Sequence, residues 1–454
     1  MGFGKFRGVF NMENNLDMEI NFPSIMKFTM PSMIMMFIMS IYTIVDGVFV
    51  AALIGTDAFS AVNIIYPAMS LNIGIGTMFG TGITAIVSRK LGENRKKEAN
   101  EDFTFVMICA FLIGILFSAI CLVFIKPIIY MLGANEEIYE YCYEYALPLF
   151  LFFGAQIPQI ICQDIYVADG KPAMGLVVTI IGGVINAAFD YIFIAVFKLG
   201  IAGAAIATGL GCLVPAIFGI IYFALNRKGN VMFVKPKKQW KILLYSSLNG
   251  SSEMVNNFSV GITTFLFNVI MMHFAGQNGV AAISILLYLD FILIALNLGY
   301  SLGAAPLFSF NYGRKNDKKI KQLFSLSTKM SIIFGIIVMV AAIVFSPQLT
   351  SVFAKKGTEV YEMAVVGMKI YAISYIFKGF NVFSSAMFTA FENGKVSAIL
   401  SFMRTLVLLS FAIIVMAYIW GVTGIWLSTP LAEGLALLMA VYYIIKNKDK
   451  YKYI

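Results

Sequence analysis

Two acidic residues stand inside stretches apolar enough to cross a membrane: Asp46 in Ile41-Tyr-Thr-Ile-Val-Asp-Gly-Val-Phe-Val50, and Asp190 in Ile185-Asn-Ala-Ala-Phe-Asp-Tyr-Ile-Phe-Ile194. A carboxylate at bilayer depth costs about 2.5–3.5 kcal/mol on insertion scales, so an intramembrane acid points to an ion, proton or substrate pathway. Asn186 precedes Asp190 by four residues, which stacks the two side chains on one helix face. Thr208 follows in the next apolar stretch, among Gly203, Ala204, Ala205, Ala207 and Gly209, small residues that let a helix pack closely. Taken singly, Asn186 and Thr208 are ordinary interhelical hydrogen-bonding residues. As a set, Asp46, Asn186, Asp190 and Thr208 offer four oxygen donors, hard ligands that suit Na⁺, and two buried carboxylates that could instead share a proton. Both couplings stay open.

The elements that must position this set are membrane helices. The chain has 454 residues, 60% hydrophobic and 13% charged, with a mean hydropathy of +0.85; soluble domains average about 45–50% apolar and about 25% charged. Apolar runs recur from Phe22 to Ile445, each near the ~20 residues that cross ~30 Å of hydrocarbon. The first run is too long for a cleaved signal peptide and lacks a small-residue cleavage site, so none is expected. The net charge of +9 does not imply nucleic acid, because Lys and Arg sit in short loops: around Arg89 to Lys97, Arg227 to Lys241, Arg314 to Lys321, and Lys446 to Lys452. The positive-inside rule places these loops and both termini in the cytoplasm, which requires an even number of spans. Five cysteines without paired spacing argue against structural disulfides and zinc. His273, the only histidine, falls at a helix end and reads as a capping or interfacial residue rather than a proton relay.

The fold class expected is an all-α membrane protein of about twelve transmembrane helices in two parallel six-helix repeats, forming two lobes around a central cavity. Spans are expected near 24–50, 58–87, 103–126, 144–167, 172–197 and 200–225, then 242–272, 279–311, 323–346, 366–390, 395–419 and 421–445. Accordingly, residues 1–23 form a cytoplasmic lead-in, 24–225 the amino-terminal lobe, 226–241 a cytoplasmic linker, 242–445 the carboxyl-terminal lobe and 446–454 a basic tail. Sliding one half onto the other by 221 residues superposes Gly55 on Gly276, Ala61 on Ala282, Gly82 on Gly303, Gly92 on Gly313, Gly200 on Gly421 and Gly203 on Gly424. With six spans per half, both repeats start on the same side and are related by an axis along the membrane normal. The acids are not duplicated: the same shift carries Asp46 to Phe267 and Asp190 to Phe411, so the ion site belongs to the amino-terminal half. Pro31 lies inside the first span and is the hinge expected there.

Over nearly its whole length the chain resembles the multidrug and toxic compound extrusion (MATE) transporters, of the prokaryotic branch that includes the DNA-damage-inducible and staphylococcal multidrug members. The likeness rests on Pro31, Asp46 and Gly47 of the first helix, the Gly55 to Ala61 pattern, Leu91-Gly92 before a basic loop, Ala168-Asp-Gly170, and Asn186-x-x-x-Asp190. It implies a cation site on Asp46, Asn186, Asp190 and Thr208. Asp169 departs from many relatives. In the carboxyl-terminal half, Glu253 stands where several family members have an acid implicated in transport, while Asp290, Arg404 and Glu433 match no family pattern. Glu253 reads equally as a partner of Arg404; Asp290 and Glu433 read as neutralising Arg404 or Lys378. The resemblance implies a Na⁺- or H⁺-coupled antiporter that exports amphipathic cations by alternating access, without a cofactor, as a monomer in the prokaryotic plasma membrane. A lipid-linked oligosaccharide flippase of the same superfamily is the alternative, disfavoured because the intramembrane charges are mostly acids. An integral membrane enzyme is disfavoured by the single histidine and short loops.

Overall fold

The computed structural model describes residues 16–227 and 229–454, without the side chains of residues 45–48, 51–52, 56 and 59. Long helices follow one another with short connections: α1 (Phe22–Leu53), α2 (Thr56–Gly92), α3 (Lys96–Val123), α4 (Tyr139–Ala168), α5 (Pro172–Asp190), α6 (Gly200–Leu225), α7 (Trp240–Gly313), α8 (Asp317–Val344), α9 (Glu359–Tyr371), α10 (Tyr375–Ala390), α11 (Gly394–Phe402) and α12 (Leu409–Tyr451). Among the described residues, ten helical stretches are long and apolar enough to cross a membrane, α9–α10 and α11–α12 each counting as one. Two contain a sharp break, at Gly276 in α7 and Gly421 in α12, where φ is +59° and +58° and glycine avoids the Cβ penalty. Each break divides a stretch too long for one crossing, giving twelve passes.

The duplication seen in the sequence recurs in backbone conformation. Gly55 and Gly276 both carry positive φ, as do Gly200 and Gly421. Asn94 and Lys315 occupy equivalent left-handed positions at the ends of α2 and α7, each followed by the same closing bond: Arg95 N–H to Lys90 O at 2.8 Å, and Asn316 N–H to Asn311 O at 3.0 Å. These are helix C-caps of the left-handed kind, which tie down carbonyls that would otherwise lack partners. The lobes meet about the same pseudo-twofold. A Cβ on Gly92 would strike Phe310 O, and one on Gly313 would strike Arg89 O, so the two helix ends pack backbone to backbone. An Arg89–Glu392 ion pair crosses this seam, and Glu93 binds the same guanidinium at 2.5 Å.

The linker and the basic tail are both fastened to the lobes. The linker lies along the amino-terminal lobe: Asp169 Oδ1 accepts from the N–H groups of Asn230 (2.6 Å) and Val231 (2.8 Å), and Phe233 stacks on Phe103. That clamp accounts for the unusual acid at 169. The last helix runs past Ile445 to Tyr451 because its end is buried, with Tyr451 stacked on Phe391 and Tyr453 O–H donating to Ile444 O at 2.6 Å. At the other terminus, the hydrogen bond from Lys319, together with Arg314, holds the Asp17 carboxyl below its ordinary range. The five cysteines are free. His273 is exposed three residues before the Gly276 break, edge-on to Phe274.

Candidate functional site

Glycine brings α5 and α6 into contact where three of the four residues expected as ligands lie. A Cβ on Gly182 would sit 2.8 Å from both Gly211 O and Pro215 Cγ, and one on Gly211 would sit 2.9 Å from Asn186 Cβ. Only bare backbone allows this approach. The helices are consecutive and antiparallel, so one turn beyond Asn186 on α5 is Asp190, and one turn back from Gly211 on α6 is Thr208. The packing therefore brings Asp190 level with Thr208, with Asn186 one turn away on the same α5–α6 interface. Asn186 and Asp190 are buried, and the buried Thr208 hydroxyl has no hydrogen-bond partner among the described residues. Immediately after Asp190 the chain winds as a π-helical turn, Tyr191–Val196, a local widening found at many functional sites.

The first helix runs parallel to α5. Met35 Sδ lies 3.5 Å from a Cβ position on Gly175, and Tyr42 packs 3.8 Å from that on Gly183. One turn further along this register the backbone of α1 at residue 46 comes level with Asn186. The Asp46 side chain lies outside the described residues. Pro31 is accommodated within a continuous α1.

In the carboxyl-terminal lobe, Asp290, Lys378, Arg404 and Glu433 are paired. Lys378 Nζ holds Asp290 at 2.7 Å and donates to Tyr371 Oη at 3.4 Å. Arg404 binds Glu433 Oε1 at 3.2 Å and Asn256 Oδ1 at 3.4 Å, and Asn381 donates to Glu433 Oε2 at 2.7 Å. Arg404 is thus committed to Glu433 rather than to Glu253. Buried pairs of this kind are costly to break, about 3–5 kcal/mol when one partner is removed, and hold α7, α10 and α12 together.

Glu253 instead faces a cavity between the lobes, opposite an acid that the sequence reading missed. Asp164 of α4 lines the same cavity, with its Oδ2 buried against Gly80 of α2. Its signal was present in Gln156, Gln159, Gln163 and Asp164, polar residues recurring in an apolar helix. Nothing local showed that α4 and α7 would present their acids to each other.

A family model described as MatE matches residues 31–192 and 254–440. The multidrug export protein MepA of Staphylococcus aureus strain MRSA252 is 24% identical over 432 residues, covering 94% of each chain. MepA of Staphylococcus saprophyticus is 23% identical over 435 residues, again covering 94% of each. Among solved structures, a MATE protein in complex with MaL6 superposes with a TM-score of 0.90 at 22% identity, covering 95% of this chain and 97% of that one. An outward-facing multidrug resistance MATE family transporter of the MOP superfamily gives 0.89 at 22% identity, covering 95% and 96%. At that identity the structural likeness speaks for the fold.

Proposed function

We propose, from the premise that the chain belongs to the MATE family of membrane transporters, that it exports amphipathic organic cations in exchange for an inward-moving cation, Na⁺ or H⁺. The observation that carries the reading is the α5–α6 contact, along which buried Asn186 and Asp190 occupy successive turns and Asp190 comes level with the unpartnered Thr208 hydroxyl. Oxygen donors converging there suit a hard monovalent cation, which would travel as a co-substrate of transport. The MepA relatives are multidrug exporters by name, which supports a drug-like cargo. Beside its acids the cavity between the lobes presents Met35, Val167, Leu302 and Pro306, apolar surface against which such molecules can lie. Pro31 is the hinge we assign to α1.

Exchange requires the ion and the drug to oppose one another. If the ion lowers drug affinity by some factor, linkage makes the drug lower ion affinity by the same factor. Raising Na⁺ or acidity should therefore weaken equilibrium binding of a fluorescent lipophilic cation to the purified protein, and Asp190→Asn should blunt that dependence. Binding indifferent to both ions in the parent would rule out exchange through this lobe.

The reading also places the protein in a prokaryotic plasma membrane with both termini and the basic loops in the cytoplasm. The sealed seam then lies on the cytoplasmic side, as in an outward-facing state. In a cysteine-free background, Lys97→Cys and Lys318→Cys should resist an impermeant thiol reagent added to intact cells. Ready labelling from outside would invert the topology.

A further inference from the structure

The cavity between the lobes contains two carboxylates and no cation to neutralise them. Among its lining residues, Asp164 from α4 and Glu253 from α7 are the titratable ones, and their charges repel. No hydrogen bond or ion pair to either carboxylate occurs among the described residues, and Asp164 Oδ2 is fully buried. Arg404 is the opposing charge felt by Glu253, but its two terminal nitrogens are bound to Glu433 and Asn256. Lys378 is likewise taken by Asp290.

The other polar groups on the wall separate into satisfied and unsatisfied. Ser309 Oγ donates to Ala390 O at 2.8 Å, Thr81 Oγ1 to Thr77 O at 2.8 Å, and Thr389 Oγ1 is 2.7 Å from Ser397 Oγ. Thr84, 7% exposed and also on the wall, has a hydroxyl with no partner among the described residues. Two carboxylates and an orphaned hydroxyl, drawn from both lobes, surround one space. Two ionised carboxylates confined to a low-dielectric space are unstable without a bound positive charge.

We propose that the two lobes jointly build a second site for a single positive charge on Asp164, Glu253 and Thr84, and that its occupancy holds the seam between the lobes shut. The charge is a proton shared between the carboxylates, or a monovalent cation held by both carboxylates and the Thr84 hydroxyl. Because α4 and α7 belong to different lobes, the site exists only while the lobes are together. Binding a charge there favours closure by as much as closure favours binding. It is separate from the α5–α6 site, which lies within one lobe. The inference rests on the transporter reading for its meaning, since a seam that opens and closes is what alternating access requires.

The test uses spin labels at Lys97→Cys and Lys318→Cys, one on each lobe beside the seam, in a cysteine-free full-length chain held in lipid nanodiscs. Distance distributions are compared in alkaline buffer without Na⁺, alkaline buffer with Na⁺, and acidic buffer. The parent should be broad in the first and narrow to a short distance in at least one of the others; narrowing with acid alone identifies a proton, and narrowing with Na⁺ at alkaline pH a metal cation. Asp164→Asn and Glu253→Gln should each lose that shift, while Asp190→Asn should keep it. A parent seam indifferent to both ions, or a shift retained by both cavity variants, overturns the proposal. Efflux persisting in a protein whose seam ignores both ions would refute this site alone and leave the transporter reading standing.

Discussion

Asp190→Asn is expected to abolish cation-driven efflux while leaving the protein folded. The substitution is nearly isosteric and removes a charge that is 1% exposed in the α5–α6 interface. Taking one charged partner out of a buried ionic contact costs about 3–5 kcal/mol, or roughly two to three and a half decades in cation affinity. At working ion concentrations the coupling step then fails. Thermal stability in detergent should fall little, because a neutral amide is cheaper to bury than a carboxylate. Parental efflux rates in Asp190→Asn would remove this residue from the mechanism.

Gly182→Val should come close to the same loss by a different route. Its Cβ would lie 2.8 Å from Gly211 O and Pro215 Cγ, and neither a backbone carbonyl nor a proline ring can swing aside. The helices must separate, at a cost of about 1–3 kcal/mol for overpacking, and the separation pulls Asn186 and Asp190 away from Thr208. Positions held to about 0.5 Å for binding do not survive that shift. Gly261→Val is the control, since nothing lies within 4 Å of a Cβ there; it should transport normally. Efflux undiminished in Gly182→Val would show that the close α5–α6 contact is not needed.

The features legible in the sequence were those written in local chemistry or repeated twice. The glycines spaced 221 apart announced two equivalent halves, because left-handed turns and backbone contacts need glycine wherever they recur; Gly200 and Gly421 share a φ near +58° for that reason. The spacing of Asn186 and Asp190 already placed them on one face of α5. The breaks at Gly276 and Gly421 were read as gaps between helices, whereas the chain turns there without leaving helical winding on either side. The meeting of Asp164 with Glu253 was invisible, since it depends on how whole lobes dock and on no local period. Arg404 was left undecided between acids for the same cause: choosing Glu433 over Glu253 takes the α11–α12 geometry.

The central claim is that a cation moving inward drives a drug outward. Reconstituted protein in liposomes, carrying a fluorescent lipophilic cation and exposed to Na⁺ and proton gradients imposed separately, measures this directly. The account predicts accumulation or expulsion of the dye against its own gradient when at least one ion gradient is present, and collapse of that transport when an ionophore dissipates the gradient. Dye movement that only follows its own concentration difference, at the same rate with either ion gradient or neither, would contradict it.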